Sequence, residues 1–182
     1  MLWLCASGSA SADESGMSAH ELAETRLLAE WVGLPEEQFV LGNVYYKGDG
    51  VPQDYSEAAK WYRQAADQGH ANSQYMLGIM HDEGDGMLPD YIEAVAWYRK
   101  AAENGHISAQ LKLGRKYARG KGVPQNYAEA YVWFSLAAAS GLESAMKERD
   151  RYARKLSNAE ISEAQRRSLQ LFEKIHQVQK EE

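Results

Sequence analysis

A few histidines and carboxylates of this chain are of the types that bind metals or transfer protons. His20-Glu21-Leu22-Ala23-Glu24 begins like the His-Glu-x-x-His helix of zinc proteases, but Glu24 stands where the second zinc-binding histidine is required. His70 and His106 each follow a glycine and lie 36 residues apart, at the same place in two successive units of the sequence repeat described below. Stacked repeat units hold such residues about 10 Å apart. That separation is too large for one metal ion, so we interpret both histidines as loop residues.

The remaining patterns with possible chemistry are equally weak. Asp82, Glu83 and Asp85 crowd one loop, but without the spacing of a calcium-binding loop. Gly-x-Gly pairs recur in every unit as helix stops, which is not the context of a phosphate-binding loop. No Ser or Cys nucleophile with an orienting base is visible. The sequence therefore predicts no catalytic residue, no metal and no cofactor, and we expect a protein that is not an enzyme.

Length and charge narrow the class of protein further. The 182 residues, of which 45% are hydrophobic, suffice for one domain or a short repeat array. No apolar run is long enough to span a membrane, and the single cysteine, Cys5, excludes an internal disulfide or a cysteine-built zinc site. A net charge of −6 gives no overall basic field, which argues against nucleic acid as a partner. Residues 13–107 are acidic overall and residues 108–155 are basic, which favours an oriented interaction.

The first twelve residues end in Ala10-Ser11-Ala12, a small-x-small triplet of the kind that signal peptidase cleaves. No Lys or Arg precedes the apolar stretch, which is short, so we interpret residues 1–12 as the back half of a signal peptide. This interpretation predicts a periplasmic or secreted protein. Two alternatives remain: lipidation at Cys5, which the bulky Leu4 disfavours, and a disordered tail, which would leave the protein cytoplasmic.

A period of 36 residues dominates the rest of the sequence. Several residue pairs recur at this offset without a gap. They include Leu41-Gly42, Leu77-Gly78 and Leu113-Gly114, and also Trp61-Tyr62, Trp97-Tyr98 and Trp133-Phe134. Such regularity is typical of a repeat protein, in which each unit packs only on its neighbours.

Each unit is predicted to form two helices. The first, about 36–47 in the first unit, places Leu41, Gly42 and Tyr45 on one face, and the following Gly-x-Gly ends it. The second opens with Asp54, which with Glu57 makes a pattern similar to a capping box. Within it, an alanine stripe and Trp61 are expected to be buried, and small Gly42 permits close contact between the two helices.

Degenerate units flank the repeats. Residues 13–35 are predicted to be a linker and an N-terminal capping helix. The three repeats span 36–142, divided as 36–70, 71–106 and 107–142. Residues 143–182 are predicted to form a degenerate repeat, in which Leu-Gly has become Arg149-Asp150, and a C-terminal capping helix that opens at Ser157. We count about nine helices and no strands, an all-α fold.

The segment from Ala109 to Gly141 resembles the Sel1-like repeat, the 36-residue relative of the tetratricopeptide repeat. It carries the pattern Ala-x-x-x-Leu-Gly-x-x-Tyr-x-x-Gly-x-Gly-Val-Pro-Gln-Asn-Tyr-x-x-Ala-x-x-Trp-Phe-x-x-Ala-Ala-x-x-Gly. Residues 36–142 follow it with local departures, such as His81 in place of Tyr. The resemblance implies a right-handed α/α solenoid that serves in protein–protein interaction, frequently in exported bacterial proteins. It also implies that the first helices line a concave groove.

Partner specificity is expected where the units differ, on the first-helix positions opposite the core stripe. These candidate groove residues are Val40, Asn43, Val44 and Lys47, then Met76, Ile79, Met80 and Glu83, and finally Lys112, Arg115, Lys116 and Arg119. The groove would run from an apolar patch to a wholly cationic third unit, which suits a protein or peptide partner with a hydrophobic part followed by acidic residues. The alternative is that the methionines pack on the neighbouring unit and the cations are merely solvated.

Two functions fit these expectations. The first is an exported adaptor that binds a partner protein or peptide in its groove. The second, by resemblance to some Sel1-like-repeat proteins, is an immunity protein that neutralises a toxic enzyme delivered to the periplasm, such as a type VI lipase effector. A third function, enzymatic cell-wall or antibiotic chemistry as proposed for cysteine-rich relatives, finds no support in a chain with one cysteine.

Overall fold

A computed structural model describes residues 17–181 of the chain, with side chains for residues 17–177; residues 1–12, interpreted above as part of a signal peptide, lie outside the described residues. Within that range the chain forms nine α-helices and no strand, which confirms the predicted all-α solenoid. The helices are α1 (Ala19–Leu27), α2 (Pro35–Lys47), α3 (Tyr55–Asp67), α4 (Ala71–Glu83), α5 (Tyr91–Glu103), α6 (Ile107–Arg119), α7 (Tyr127–Ala139), α8 (Glu143–Ala153) and α9 (Asn158–Glu181). A π-helical turn (Leu28–Val32) extends α1. Consecutive helices pack on one another from α2 to α8.

The helix ends follow from local chemistry. Asp54 Oδ1 accepts a hydrogen bond from the Glu57 backbone N–H at 2.9 Å, so the side chain caps α3. Only this half of the predicted capping box forms, because the Asp54 backbone N–H donates to the Tyr45 carbonyl oxygen at 2.9 Å and Glu57 pairs with Lys60 at 2.7 Å. At the other end of a repeat's first helix, Gly48 has a φ of 76°, a left-handed conformation that glycine adopts without strain.

Close contact between the two helices of each repeat depends on the glycine of the Leu-Gly pair. A Cβ atom added at Gly78 would lie 2.5 Å from Cδ1 of Tyr98, and one at Gly114 would lie 2.6 Å from Cε1 of Phe134. Both aromatic rings are fully buried. The ring that fills the space over the glycine is thus the residue after the tryptophan, while Trp97 and its equivalents are buried beside it.

The fourth unit departs from this geometry. Asp150 occupies the position of the helix-contact glycines and is exposed, and Ala145 is the only buried residue of α8. Because Asp150 carries a side chain where the repeats require none, α9 cannot pack on α8 as a repeat's second helix does. It packs on α7 instead, with Ala164 and Ile175 buried and Leu171 at the core. Helix α9 thereby covers the second helix of the third repeat.

Candidate partner-binding surface

One predicted position in each repeat is buried. Val44, Met80 and Lys116, which occupy equivalent places in the three first helices, are 3%, 0% and 5% exposed. The position faces the preceding unit: Lys116 contacts Asp82 of the second repeat, and Met80 belongs to a core cluster that also includes Tyr46 of the first. The prediction that these three residues line an open groove is therefore wrong, since all three side chains are buried within the protein.

Nine predicted residues remain at the surface, and we call them the first-helix face. They are Val40, Asn43, Lys47, Met76, Ile79, Glu83, Lys112, Arg115 and Arg119, of which Lys47, Glu83 and Arg119 are exposed and the others half-buried.

The apolar part of the first-helix face is smaller than the sequence predicts. Met76 packs against the core cluster of the second repeat, and Ile79 packs against that of the third. Asn43 is also engaged, because its Oδ1 accepts a hydrogen bond from the Tyr62 hydroxyl at 2.9 Å. Each of these side chains therefore has one side in the protein and offers only its remaining surface to a partner.

The cations of the third repeat are partly neutralised by neighbouring units. Lys116 forms an ion pair with Asp82, and Arg115 Nε lies 3.5 Å from Glu148 Oε1 of α8. Lys112 and Arg119 form no ion pair with any described residue. Within the third repeat, the positive charge that the first-helix face offers to a partner is thus concentrated on these two side chains, which lie on α6.

Burial also changes the titration of Lys116. Loss of hydration lowers the pKa of its ammonium, and the hydrogen bond to Asp82 opposes that shift. Its Nζ additionally lies 4.9 Å from the centre of the Tyr91 ring, over which Lys121 Nζ sits at 3.7 Å. Lys116 is therefore a structural cation between repeats, with its charge directed into the protein.

The residues with possible catalytic or metal-binding chemistry have structural roles. Glu21 completes a capping box with Ser18 at the start of α1. His70 contacts Ser73 Oγ at 2.8 Å and Glu36 at 3.1 Å. His106 caps α6 by accepting a hydrogen bond from the Ala109 N–H at 3.1 Å. Among the described residues, no group of His, Cys, Asp or Glu side chains is arranged to hold a metal ion.

Asp82 and Asp85, two of the crowded carboxylates, are likewise engaged. Asp82 pairs with Lys116, and Asp85 accepts a hydrogen bond of 2.6 Å from the hydroxyl of Tyr46 in the first repeat. Asp82 and Glu83 belong to the last turn of α4 and not to the predicted loop, which begins after them. Asp82 and Asp85 together join the second repeat to both of its neighbours.

Sequence reasoning missed one exposed apolar pair at the loop edge of the second repeat. Leu88 is 88% exposed and Ile92 is 74% exposed. The equivalent positions hold Pro52 and Ser56 in the first repeat, and Pro124 and Ala128 in the third. The difference between the three units at these two positions is the sequence signal that identifies the pair.

Comparison with protein families identifies the repeat. The model of the Sel1 repeat matches residues 38–70, 71–106 and 107–142. A comparison with curated proteins gives no match. None of the described helices is long and apolar enough to cross a membrane.

Several solved structures share this architecture, among them three bacterial proteins. A Sel1 repeat protein from Oxalobacter formigenes is 38% identical over 71% of this chain and 54% of its own, with a TM-score of 0.67. The protein c5321, a protective antigen present in uropathogenic Escherichia coli strains, is 27% identical over 88% of this chain and 43% of its own, with a TM-score of 0.55. Helicobacter pylori cysteine rich protein B shares the fold at 20% identity and a TM-score of 0.56, covering 71% of this chain and 96% of its own.

The present chain spans about half the length of the first two of these proteins. Proteins of Sel1 repeats are generally protein–protein interaction modules. The matched residues make up more than half of the sequence and form three units with the same helix pair and the same glycine–aromatic contact. The chain belongs to the Sel1 repeat family.

Proposed function

We propose that this chain binds a partner protein or peptide through the first-helix face. Acidic side chains of the partner pair with Lys112 and Arg119, and apolar side chains contact Val40, Met76 and Ile79. The observation that carries the proposal is that Lys112 and Arg119 have no ion pair within the described part of the chain, whereas Lys116 and Arg115 on the same helix have one. Cations without an intramolecular partner are available for a complementary surface.

The two parts of the first-helix face would contribute differently to binding. Exposed charges steer association and set its salt dependence, while desolvated apolar side chains contribute most of the affinity. Met76 suits the second role because an unbranched thioether adapts to different surfaces. We therefore expect added salt to slow association more than it accelerates dissociation.

A charge-reversal experiment tests the proposal. The bait Lys112→Glu/Arg119→Glu is compared with the unmodified protein in pull-downs from the host extract. The matched control, Lys60→Glu/Lys147→Glu, makes the same change in net charge at side chains that are 68% and 74% exposed and lie outside the first-helix face. We expect the unmodified and control baits to capture the same partner and the face variant to lose it at unchanged helicity. Equal capture by all three baits would remove the first-helix face from consideration.

We further propose that the protein is exported to the periplasm, or secreted, and acts there as an adaptor without catalytic activity. The triplet Ala10-Ser11-Ala12 supports export. N-terminal sequencing of the protein from its native host tests this, and an intact Met1 would contradict it. Capture of several envelope proteins together supports the adaptor, whereas stoichiometric capture and inhibition of a single toxic enzyme would identify an immunity protein instead.

A further inference from the structure

A buried glutamine occupies the same place in each repeat. Gln38, Gln74 and Gln110 lie near the start of the first helices, and each is 4% exposed. Each donates its side-chain N–H to a carbonyl at the end of the preceding helix: the N–O distances are 3.4 Å to Ala29, 3.0 Å to Ala66 and 3.2 Å to Ala102. This donation fixes the orientation of the amide group. The Oε1 atom of each glutamine is left as a buried acceptor.

The first two repeats supply an internal donor to that acceptor. Gln68 Nε2 lies 2.7 Å from Gln38 Oε1 and 2.9 Å from the Gly33 carbonyl oxygen. In the second repeat, Asn104 Nδ2 lies 2.9 Å from the Oε1 atom of its glutamine and 3.1 Å from the Gly69 carbonyl oxygen. In both places one NH₂ group therefore donates to two acceptors.

The third repeat lacks this donor. Ser140 stands where the earlier repeats have Gln68 and Asn104, and it carries no amide group. Among the described residues, Gln110 Oε1 is buried without a hydrogen-bond partner, and no side chain donates to the carbonyl of Gly105, the equivalent of Gly69. Burial of an unpaired acceptor is costly, so a ligand that supplies the missing N–H groups gains from both atoms.

A cavity of about 240 Å³ lies at this place. Its polar end is formed by Gly105, Gln110 and Ser140, and its apolar wall by Leu136, Phe172 and Ile175. An adjoining apolar cleft of about 260 Å³ between α7 and α9 shares Leu136 and Phe172 with it. The one titratable lining residue is His176, whose Nδ1 lies 2.9 Å from the Phe172 carbonyl oxygen. No Asp or Glu lines the cavity to pair with a cation, which favours a neutral donor over a charged one.

We propose that this cavity binds a primary carboxamide attached to an apolar body. The amide NH₂ donates to Gln110 Oε1 and to the Gly105 carbonyl, as Asn104 does one repeat earlier, and the apolar body contacts Leu136 and Phe172. The bond pattern is the one that the first two repeats already make internally. The site is built from α6, α7 and α9 and includes no residue of the first-helix face, so it stands independently of the function proposed above.

Two variants of Ser140 distinguish binding in this cavity from binding elsewhere on the protein. Ser140→Asn introduces the amide found in the second repeat and should fill the cavity from within. Ser140→Ala leaves the cavity open and both acceptors unpaired, and it serves as the matched control. The probes are benzamide and benzoate, which have nearly the same shape but differ in the donating NH₂ group. Two peptides, Leu-Gln-Leu and Leu-Glu-Leu, with N-acetyl and C-terminal N-methylamide caps so that neither terminus carries an NH₂ group, present the same contrast on a peptide.

Binding is followed by the NMR shifts of the Gln110 side-chain amide during titrations at millimolar concentration. We expect benzamide to bind the unmodified protein and Ser140→Ala, to bind Ser140→Asn about tenfold more weakly, and benzoate not to bind. Tighter binding of the glutamine peptide than of benzamide assigns the site to a partner side chain, and the reverse assigns it to a small amide. The proposal is overturned if benzoate binds as well as benzamide, if Ser140→Asn binds as well as the unmodified protein, or if neither amide binds.

Discussion

Lys116 and Asp82 form a buried ion pair that joins the third repeat to the second. The side chains are 7% and 14% exposed. In the preceding interface, the residues at the equivalent positions are Met80 and Tyr46, which belong to one apolar cluster. The equivalent position is thus an apolar contact between the first and second repeats and an ion pair between the second and third. The ion pair can therefore be replaced by the residues of the apolar contact.

We expect Asp82→Ala to lower the free energy of unfolding by about 3 kcal/mol, because Lys116 would remain buried without its carboxylate. The double variant Lys116→Met/Asp82→Tyr, which copies the preceding interface, should be about as stable as the unmodified protein. Chemical denaturation measures both. Lys147→Ala, which removes an exposed pair with Glu143, is the control and should change stability by less than about 0.5 kcal/mol. A double variant no more stable than Asp82→Ala would contradict the interpretation.

Replacement of a helix-contact glycine should destabilise the protein, although alanine normally favours a helix. A Cβ at Gly78 meets the fully buried ring of Tyr98 at 2.5 Å, so Gly78→Ala is expected to cost about 1–3 kcal/mol. In a Tyr98→Ala background the same change should cost little, since the clash is gone. A double-mutant cycle by thermal or denaturant unfolding measures the coupling, and its absence would show that the ring can move aside.

Ser140→Asn should stabilise the protein in the absence of any ligand. The new amide gives Gln110 Oε1 the partner that Gln74 Oε1 has at 2.9 Å, for which we expect a gain of about 1 kcal/mol. The measurement is denaturant unfolding of the variant beside Ser140→Ala, which removes the hydroxyl without adding a donor. Equal stability of the two variants would mean that the acceptor is already satisfied, for instance by water.

Stability should decrease in mild acid because of His106. Burial lowers the pKa of this imidazole below its ordinary value of 6.5, and its Nδ1 atom must stay unprotonated to accept from the Ala109 N–H. The unfolded chain therefore binds a proton at higher pH than the folded one, so the stabilisation is complete above about pH 6.5 and is lost as the pH falls towards the lower folded pKa.

His106→Asn preserves the cap without a titrating group, and unfolding at neutral and acidic pH compares it with the unmodified protein. The variant should lose less stability on acidification, and an unchanged acid response would exclude His106 as the cause.

Most of the architecture could be predicted from the sequence, because a 36-residue period places each side chain in the same environment in successive units. The helix pairs, the glycine at the helix contact and the caps at Asp54, Asp90 and Asn126 all depend on residues close in the chain or one period apart. Arg149-Asp150 also marked the fourth unit as degenerate. The apolar seam of α9 predicts that it packs on the final unit, but which helix of that unit it covers depends on the surface that distant residues leave uncovered.

The candidate surface was predicted less completely. Helical periodicity separates the core stripe of a helix from its opposite side, but it contains no information about a third element that covers part of that side. For this reason periodicity assigns Val44, Met80 and Lys116 to the groove, although the fold buries all three.

Ser140 is a further residue whose role could not be predicted from helical periodicity. It is an ordinary residue for the end of a helix, and its importance comes from Gln110, an acceptor on another helix that Ser140 leaves without a donor. The sequence by itself determined the repeat, its helices and the family, because these follow from short-range spacing and a fixed period. Only the tertiary structure decided which charges are available and where a cavity lies, since burial and hydrogen-bond satisfaction depend on neighbours that are distant in the chain.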